Sequence, residues 1–168
     1  MLSSVLGKKE CAMCRFCCSF RRKSLWELPK LPLTFIQDHK TGRNGEEIEY
    51  KVFGSGETGW AVTDLTKKYE TDDPEEEVLC PFLNPDRGCV LPDEDKPFEC
   101  SAWPVRLMKM PDGDKKVCLA MSCPAIKKAD ESVLREKAKS EWKEIMTAYA
   151  EDHPYTVGEY REGYVSLE

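Results

Sequence analysis

Four cysteines crowd into eight positions, Cys11, Cys14, Cys17 and Cys18, in the stretch ECAMCRFCCSF near the start of the chain. No other feature narrows the possible folds as much. A free cysteine packs as a small hydrophobe, but four thiols set among Arg and Ser have little core to join. Five more follow, Cys80, Cys89, Cys100, Cys118 and Cys123. A disulfide framework fits poorly. The count is odd, the first ten residues do not form a secretory leader, and a Cys17–Cys18 bridge would close a strained ring. Metal ligation is the reading that remains for the crowded thiols. Cys118, alternating with Leu119 in a strand-like run, reads as ordinary core.

The spacing supplies the chemistry. A Cys-x-x-Cys turn lets two thiolates reach one metal without backbone strain, and soft sulfur donors select zinc, iron or an iron-sulfur cluster. Cys11, Cys14 and Cys17 make two such turns in series. Bacterial ferredoxins use a similar run closed by a Cys-Pro pair, and here Cys80-Pro81 and Cys123-Pro124 are the Cys-Pro pairs. Adjacent side chains normally diverge, so Cys17 and Cys18 are expected to serve two neighbouring sites, or one to ligate while the other supports it. The candidate ligands are Cys11, Cys14, Cys17, Cys18, Cys80, Cys89, Cys100 and Cys123. Eight thiols suffice for two tetrahedral thiolate sites, or for one four-cysteine cluster with spares. Thiolates suit zinc and iron alike, so spacing does not choose between them.

The ordered pieces Cys11-x2-Cys14-x2-Cys17-Cys18, CPFLNPDRGC (80–89), KPFECSAWP (96–104) and SCPAI (122–126) resemble the CxxCxxCC, or YkgJ-type, cysteine-cluster family of zinc- or iron-chelating domains. The likeness covers roughly residues 10–126. It implies metal or iron-sulfur binding. Flagellin lysine N-methylases share the cysteine signature, so the resemblance also admits an enzyme, either an iron-sulfur oxidoreductase or a protein-lysine methyltransferase. A third reading is a structural zinc module that presents its acidic connector or C-terminal helix to a protein partner. Catalytic residues are not identifiable. The chain departs from the family pattern at Arg15, where glycine is common, at Lys96-Pro97 in place of Arg-Pro, at Ser101 in place of Arg, and in the extra Cys118.

Charge is distributed unevenly. Residues 1–30 carry seven basic groups against two acidic ones, and residues 64–99 carry twelve acidic against four basic. Arg15, Arg21, Arg22 and Lys23 are placed to offset thiolate charge, while the net charge of -6 argues against nucleic acid as a partner. No run approaches the roughly 18 apolar residues of a membrane span. A cytoplasmic protein is expected, with no membrane partner.

With 11 prolines and 10 glycines punctuating the chain, the expected architecture is α+β. It is a small, irregular, metal-stabilised domain with short antiparallel hairpins and a C-terminal amphipathic helix. Residues 1–126 form the cysteine-cluster region, and 127–168 the helix and tail packed on it, in a single domain overall. Strands are expected near 47–53 and 60–65, joined by the GSGETG turn, whose likeness to a dinucleotide fingerprint is weakened by the strand that follows it. A short helix is expected at 33–39. A second hairpin should join VRLMKM to KKVCLAM through PDGD, whose Asp-Gly supplies positive φ. Over 129–150, Leu134, Ala138, Trp142, Ile145 and Tyr149 form a helical apolar stripe, with Asp130 as N-cap and His153-Pro154 as the stop. His39 and His153 read as ordinary surface histidines.

Overall fold

The computed structural model describes residues 5, 13–21, 27–73 and 75–168. It is a mixed helix and sheet structure with short, mostly antiparallel strands and a C-terminal helix. The chain divides into two compact units, Arg15–Cys100 and a second made of Met1–Cys14 with Ser101–Glu168. No helix among the described residues is long and apolar enough to cross a membrane.

Among the described residues, the Arg15–Cys100 unit holds three small sheets. Strand β1 (Ser19–Arg21) pairs antiparallel with β5 (Glu77–Leu79). Strand β2 (Leu31–Pro32) runs into helix α1 (Leu33–Asp38), and β3 (Tyr50–Phe53) and β4 (Trp60–Thr63) complete a sheet of order β2-β4-β3. The GSGETG segment turns this hairpin with positive φ at Gly54 and Gly56, and the chain returns directly as β4. It is a turn, as the following strand suggested. Strands β6 (Leu83–Asn84) and β7 (Gly88–Cys89) form a third, minimal hairpin. Its loop is held by the Asn84 side chain, which accepts the backbone N–H groups of Asp86 and Arg87 at 2.9 and 3.0 Å. Leu31, Phe35, Ile48 and Phe82 form the core of this unit, with Cys80 and Leu91 packed against it. Leu31 of β2 and Tyr50 of β3 bring their strands to that core, and apolar burial supports pairing this short.

Helix α2 (Phe98–Ala102) precedes the strands of the second unit. There β8 (Val105–Lys109) and β9 (Lys115–Ala120) pair antiparallel, Val105 opposite Leu119 and Lys109 opposite Lys115. Gly113, at φ 92°, turns the hairpin, and Met110 N–H reaches the Asp114 carbonyl at 2.7 Å. This is the Asp-Gly turn expected from PDGD. Two late strands extend the sheet. β10 (Gly158–Glu159) lies parallel to β8, and β11 (Tyr164–Ser166) antiparallel to β9.

The long helix starts where its cap predicts. The Asp130 carboxylate accepts the Ser132 backbone N–H at 2.8 Å, satisfying one of the orphan donors of the first turn. Helix α3 (Glu131–Lys137) and helix α4 (Lys143–Asp152) are joined without a break by a π-helical turn, Ala138–Trp142. That turn shifts the buried stripe. Leu134, Ala138 and Trp142 are buried as expected, but Met146 and Ala150 follow them inward, while Ile145 is 39% exposed. In a regular α-helix each four-residue step overshoots the face by about 40°. The wider π turn absorbs that overshoot, so positions 146 and 150 replace the expected 145 and 149. Ser140, whose hydroxyl donates to the Glu136 carbonyl at 2.8 Å, lies inside this turn. Tyr149 instead stacks on His153, ring centroids 4.2 Å apart.

Candidate metal centre

The candidate ligands divide between the two units. Cys17, Cys18, Cys80, Cys89 and Cys100 belong to the Arg15–Cys100 unit, and Cys14 and Cys123 to the other. Cys11 lies outside the described residues.

In the first group, strand register does the placing. Ser19 pairs with Leu79, and one step further the Cys80 N–H donates to the Cys18 carbonyl at 2.8 Å. Cys18 and Cys80, sixty-two positions apart in sequence, therefore face each other across a ladder. Pro81 then turns the chain, with Leu83 N–H donating to the Cys80 carbonyl at 2.9 Å, and Leu83 pairs with Cys89. Cys100 arrives on helix α2, whose neighbouring Glu99 carboxylate accepts the Lys30 backbone N–H at 2.7 Å.

Cys17 and Cys18 do not diverge. Arg15 adopts φ 53°, ψ 4°, a left-handed conformation that favours glycine, and a 3-10 turn follows in which Cys18 N–H donates to the Arg15 carbonyl at 2.9 Å. The two Sγ atoms stand 3.9 Å apart. Sulfurs bound to one tetrahedral ion at about 2.3 Å lie about 3.8 Å from each other. Arg15 holds this conformation with a side chain that donates from Nη1 to the Pro85 carbonyl at 2.7 Å.

Electrostatically the four thiols Cys18, Cys80, Cys89 and Cys100 form a set. A hydrogen bond from Cys17 lowers the Cys18 thiol below its ordinary value, against burial, and Lys96 adds to the lowering. Burial pushes Cys80 up to about 12, with the charges of Cys18 and Cys89 adding to it. Cys89 is raised by burial and by Cys18, and Cys100 is raised by burial and by Cys80, Cys18 and Cys89. Cys100 nonetheless has an exposed surface. Against burial, backbone N–H groups of Phe82 and Leu91, each two residues on, donate to the sulfurs of Cys80 and Cys89. Such N–H···S bonds favour the thiolate.

Among the described residues, a cation stands beside the set. Lys96, held by Asp93 at 2.9 Å, stands within charge reach of Cys18 and Cys89. Its position four residues before Cys100 in KPFEC was the available sequence signal. The Arg21 side chain, Arg22 and Lys23 lie outside the described residues.

In the other unit, Cys123 is buried and within charge reach of Cys14, and its sulfur accepts the N–H groups of Ala125 and Ile126. It repeats the Cys-Pro turn of Cys80. Cys118 is fully buried on β9, as a core residue should be. His39 stacks on Phe35 at 4.2 Å, with Nδ1 3.0 Å from the Phe35 carbonyl, and His153 Nδ1 lies 3.1 Å from the Tyr155 hydroxyl. Trp60 stacks on Phe53 and Trp103 on the Arg106 guanidinium; Trp26 lies outside the described residues. Among the described residues, no group of three or more His, Cys, Asp or Glu is arranged to hold a metal ion as it stands.

These shifts fix the sign of the pH response. Cys80, Cys89 and Cys100 hold their protons more tightly folded than unfolded. The stability they contribute is present below the unfolded thiol value of about 8.5 and is lost as pH rises towards the folded values. A metal reverses this dependence, because its ligands must be deprotonated. Thermal melts of chelator-treated protein should therefore fall above about pH 8.5, whereas zinc affinity should rise with pH across the same range. Parallel trends in the two series would contradict the thiol assignment.

Compared with protein-family models, curated proteins and solved structures, the chain matches none.

Proposed function

We propose that this chain is a metal-binding protein whose cysteine thiolates hold iron, as an iron-sulfur cluster, or zinc. The observation that carries the reading is the β1–β5 register, which sets Cys18 opposite Cys80 and brings two distant parts of the cysteine pattern together. On this reading the likeness to the CxxCxxCC family reflects membership in it.

The donor set suits the role. Soft sulfur ligands select zinc, iron or a cluster, and thiolates that raise one another's pKa are relieved when a cation sits among them. Backbone N–H donors to the sulfurs of Cys80, Cys89 and Cys123 orient them and favour the charged form. Ligation would release the protons of the thiols that bind the metal. A bound metal would act as a cross-link, and a cluster could also pass single electrons. The protein's own contribution is to present the sulfurs, to set Lys96 against their charge, and to place the apolar core of Phe82 and Leu31 beneath Cys80.

Anaerobic purification with metal and acid-labile sulfide analysis and an optical spectrum tests this. Brown protein containing iron and sulfide indicates a cluster; colourless protein with stoichiometric zinc indicates a zinc centre. Metal-free protein of undiminished thermal stability rules out both.

A further inference from the structure

We propose that Cys17 and Cys18 form a vicinal dithiol that captures trivalent organoarsenicals, both sulfurs binding one arsenic atom. The site needs no other cysteine, so it stands apart from the metal-binding reading and leaves Cys18 a candidate ligand there.

The backbone sets the pair. Adjacent side chains normally diverge, yet these two Sγ atoms stand 3.9 Å apart. Three hydrogen bonds hold the chain in that shape. Cys18 N–H donates to the Arg15 carbonyl at 2.9 Å, closing the 3-10 turn Phe16–Cys18. Cys80 N–H donates to the Cys18 carbonyl at 2.8 Å, fixing the end of that turn against the β1–β5 ladder. Arg15 Nη1 donates to the Pro85 carbonyl at 2.7 Å, securing its start. Cys17 is exposed, which gives a ligand a route in from solvent.

The spacing selects a one-atom bridge. A disulfide brings its sulfurs to about 2.05 Å, whereas two sulfurs on a single tetrahedral atom lie about 3.8 Å apart. Pyramidal arsenic draws them slightly closer, a motion that rotation of the exposed Cys17 side chain allows. The number of sulfurs then selects the ligand. A tetrahedral ion requires four donors, and among the described residues no group of three or more His, Cys, Asp or Glu is arranged to hold one as it stands. An organoarsenic(III) centre already carries its carbon substituent and requires only two sulfurs. With an arsenoxide, RAs=O, two As–S bonds form and both thiol protons leave with the oxygen as one water. Arsenic stays trivalent, so no oxidant or reductant is consumed.

One equivalent of phenylarsine oxide, added to full-length, reduced, metal-free protein, tests the site. An arsenical held by one sulfur exchanges onto excess monothiol, and a bridged one resists it. After a 2-mercaptoethanol challenge, wild type should keep one phenylarsenic group per chain. Cleavage after Arg15 and Arg21 releases Phe16–Arg21, which contains Cys17 and Cys18 and no other cysteine, and the arsenic should be found there. The second As–S bond is intramolecular, so Cys17→Ser and Cys18→Ser should each weaken retention by at least about 100-fold. Cys118→Ala and Cys123→Ser should match wild type. Arg15→Gly, which leaves positive φ open, should also retain the group, and Arg15→Val, for which that conformation is an outlier, should lose it more readily. Arsenic on another peptide, or undiminished retention in Cys17→Ser, overturns the proposal. The mapping on wild type needs no variant, so a substituted chain that fails to fold leaves the test intact, and the metal content of the purified protein bears on the metal-binding reading alone.

Discussion

If the cysteine thiolates hold a metal as proposed, stripping it from the full-length protein should lower the melting temperature by about 8–16 °C. A metal that binds only the folded state adds RT ln(1 + [L]/Kd), about 4 kcal/mol when free metal stands a thousandfold above Kd. Each kcal/mol moves the midpoint by about 2–4 °C in a chain of this length. The effect should be local as well as large. Strands β1, β5, β6 and β7 are two or three residues long, and ladders that short are marginal unless something else ties them together. Hydrogen exchange should therefore rise most at 77–91 on chelation, while helix α4, anchored by buried Met146 and Ala150, keeps its protection. Unchanged melting and unchanged exchange at 77–91 after verified metal removal would show that no metal supports this region.

The second large effect is expected at Trp142. Its side chain is fully buried in the π turn, and truncating a buried Trp to Ala costs about 3–5 kcal/mol through lost burial and the cavity left behind. Trp142→Ala should therefore melt about 6–20 °C below wild type. Trp142→Phe should cost far less. Among the described residues the indole N–H has no hydrogen-bond partner, so Phe gives up no bond and removes a buried unsatisfied donor. If both variants lose the same stability, a polar role for the indole replaces the packing one.

Local rules were legible wherever a few neighbouring residues decide the outcome. Asp130 caps its helix, Gly113 turns its hairpin, and Gly54 and Gly56 turn another. Each requires only a short side chain or a glycine at one position. The helix stripe was legible up to Trp142 and failed after it, because periodicity assumes a uniform 3.6 residues per turn and the π turn is not visible in an apolar pattern. The pairing of β1 with β5 was not legible either. SFR and EVL are too short to show alternation, and their partnership depends on closing a loop of more than fifty residues.

For the candidate centre the division is similar. The sequence by itself determined the chemistry: nine thiols with two Cys-x-x-Cys turns in series and two Cys-Pro pairs, a donor set that is soft whatever the fold does. Tertiary structure decided the grouping. Cys11-x2-Cys14-x2-Cys17-Cys18 reads as one motif, yet the unit boundary falls after Cys14, and the left-handed turn at Arg15 points Cys17 and Cys18 towards a shared spacing instead of opposite faces. Nothing in the letters announces that turn, since arginine carries no preference for positive φ as glycine would. Side-chain chemistry is carried by each residue alone, whereas a ligand set is a relation among distant residues. Only the folded backbone, through strand register and turn geometry, supplies that relation.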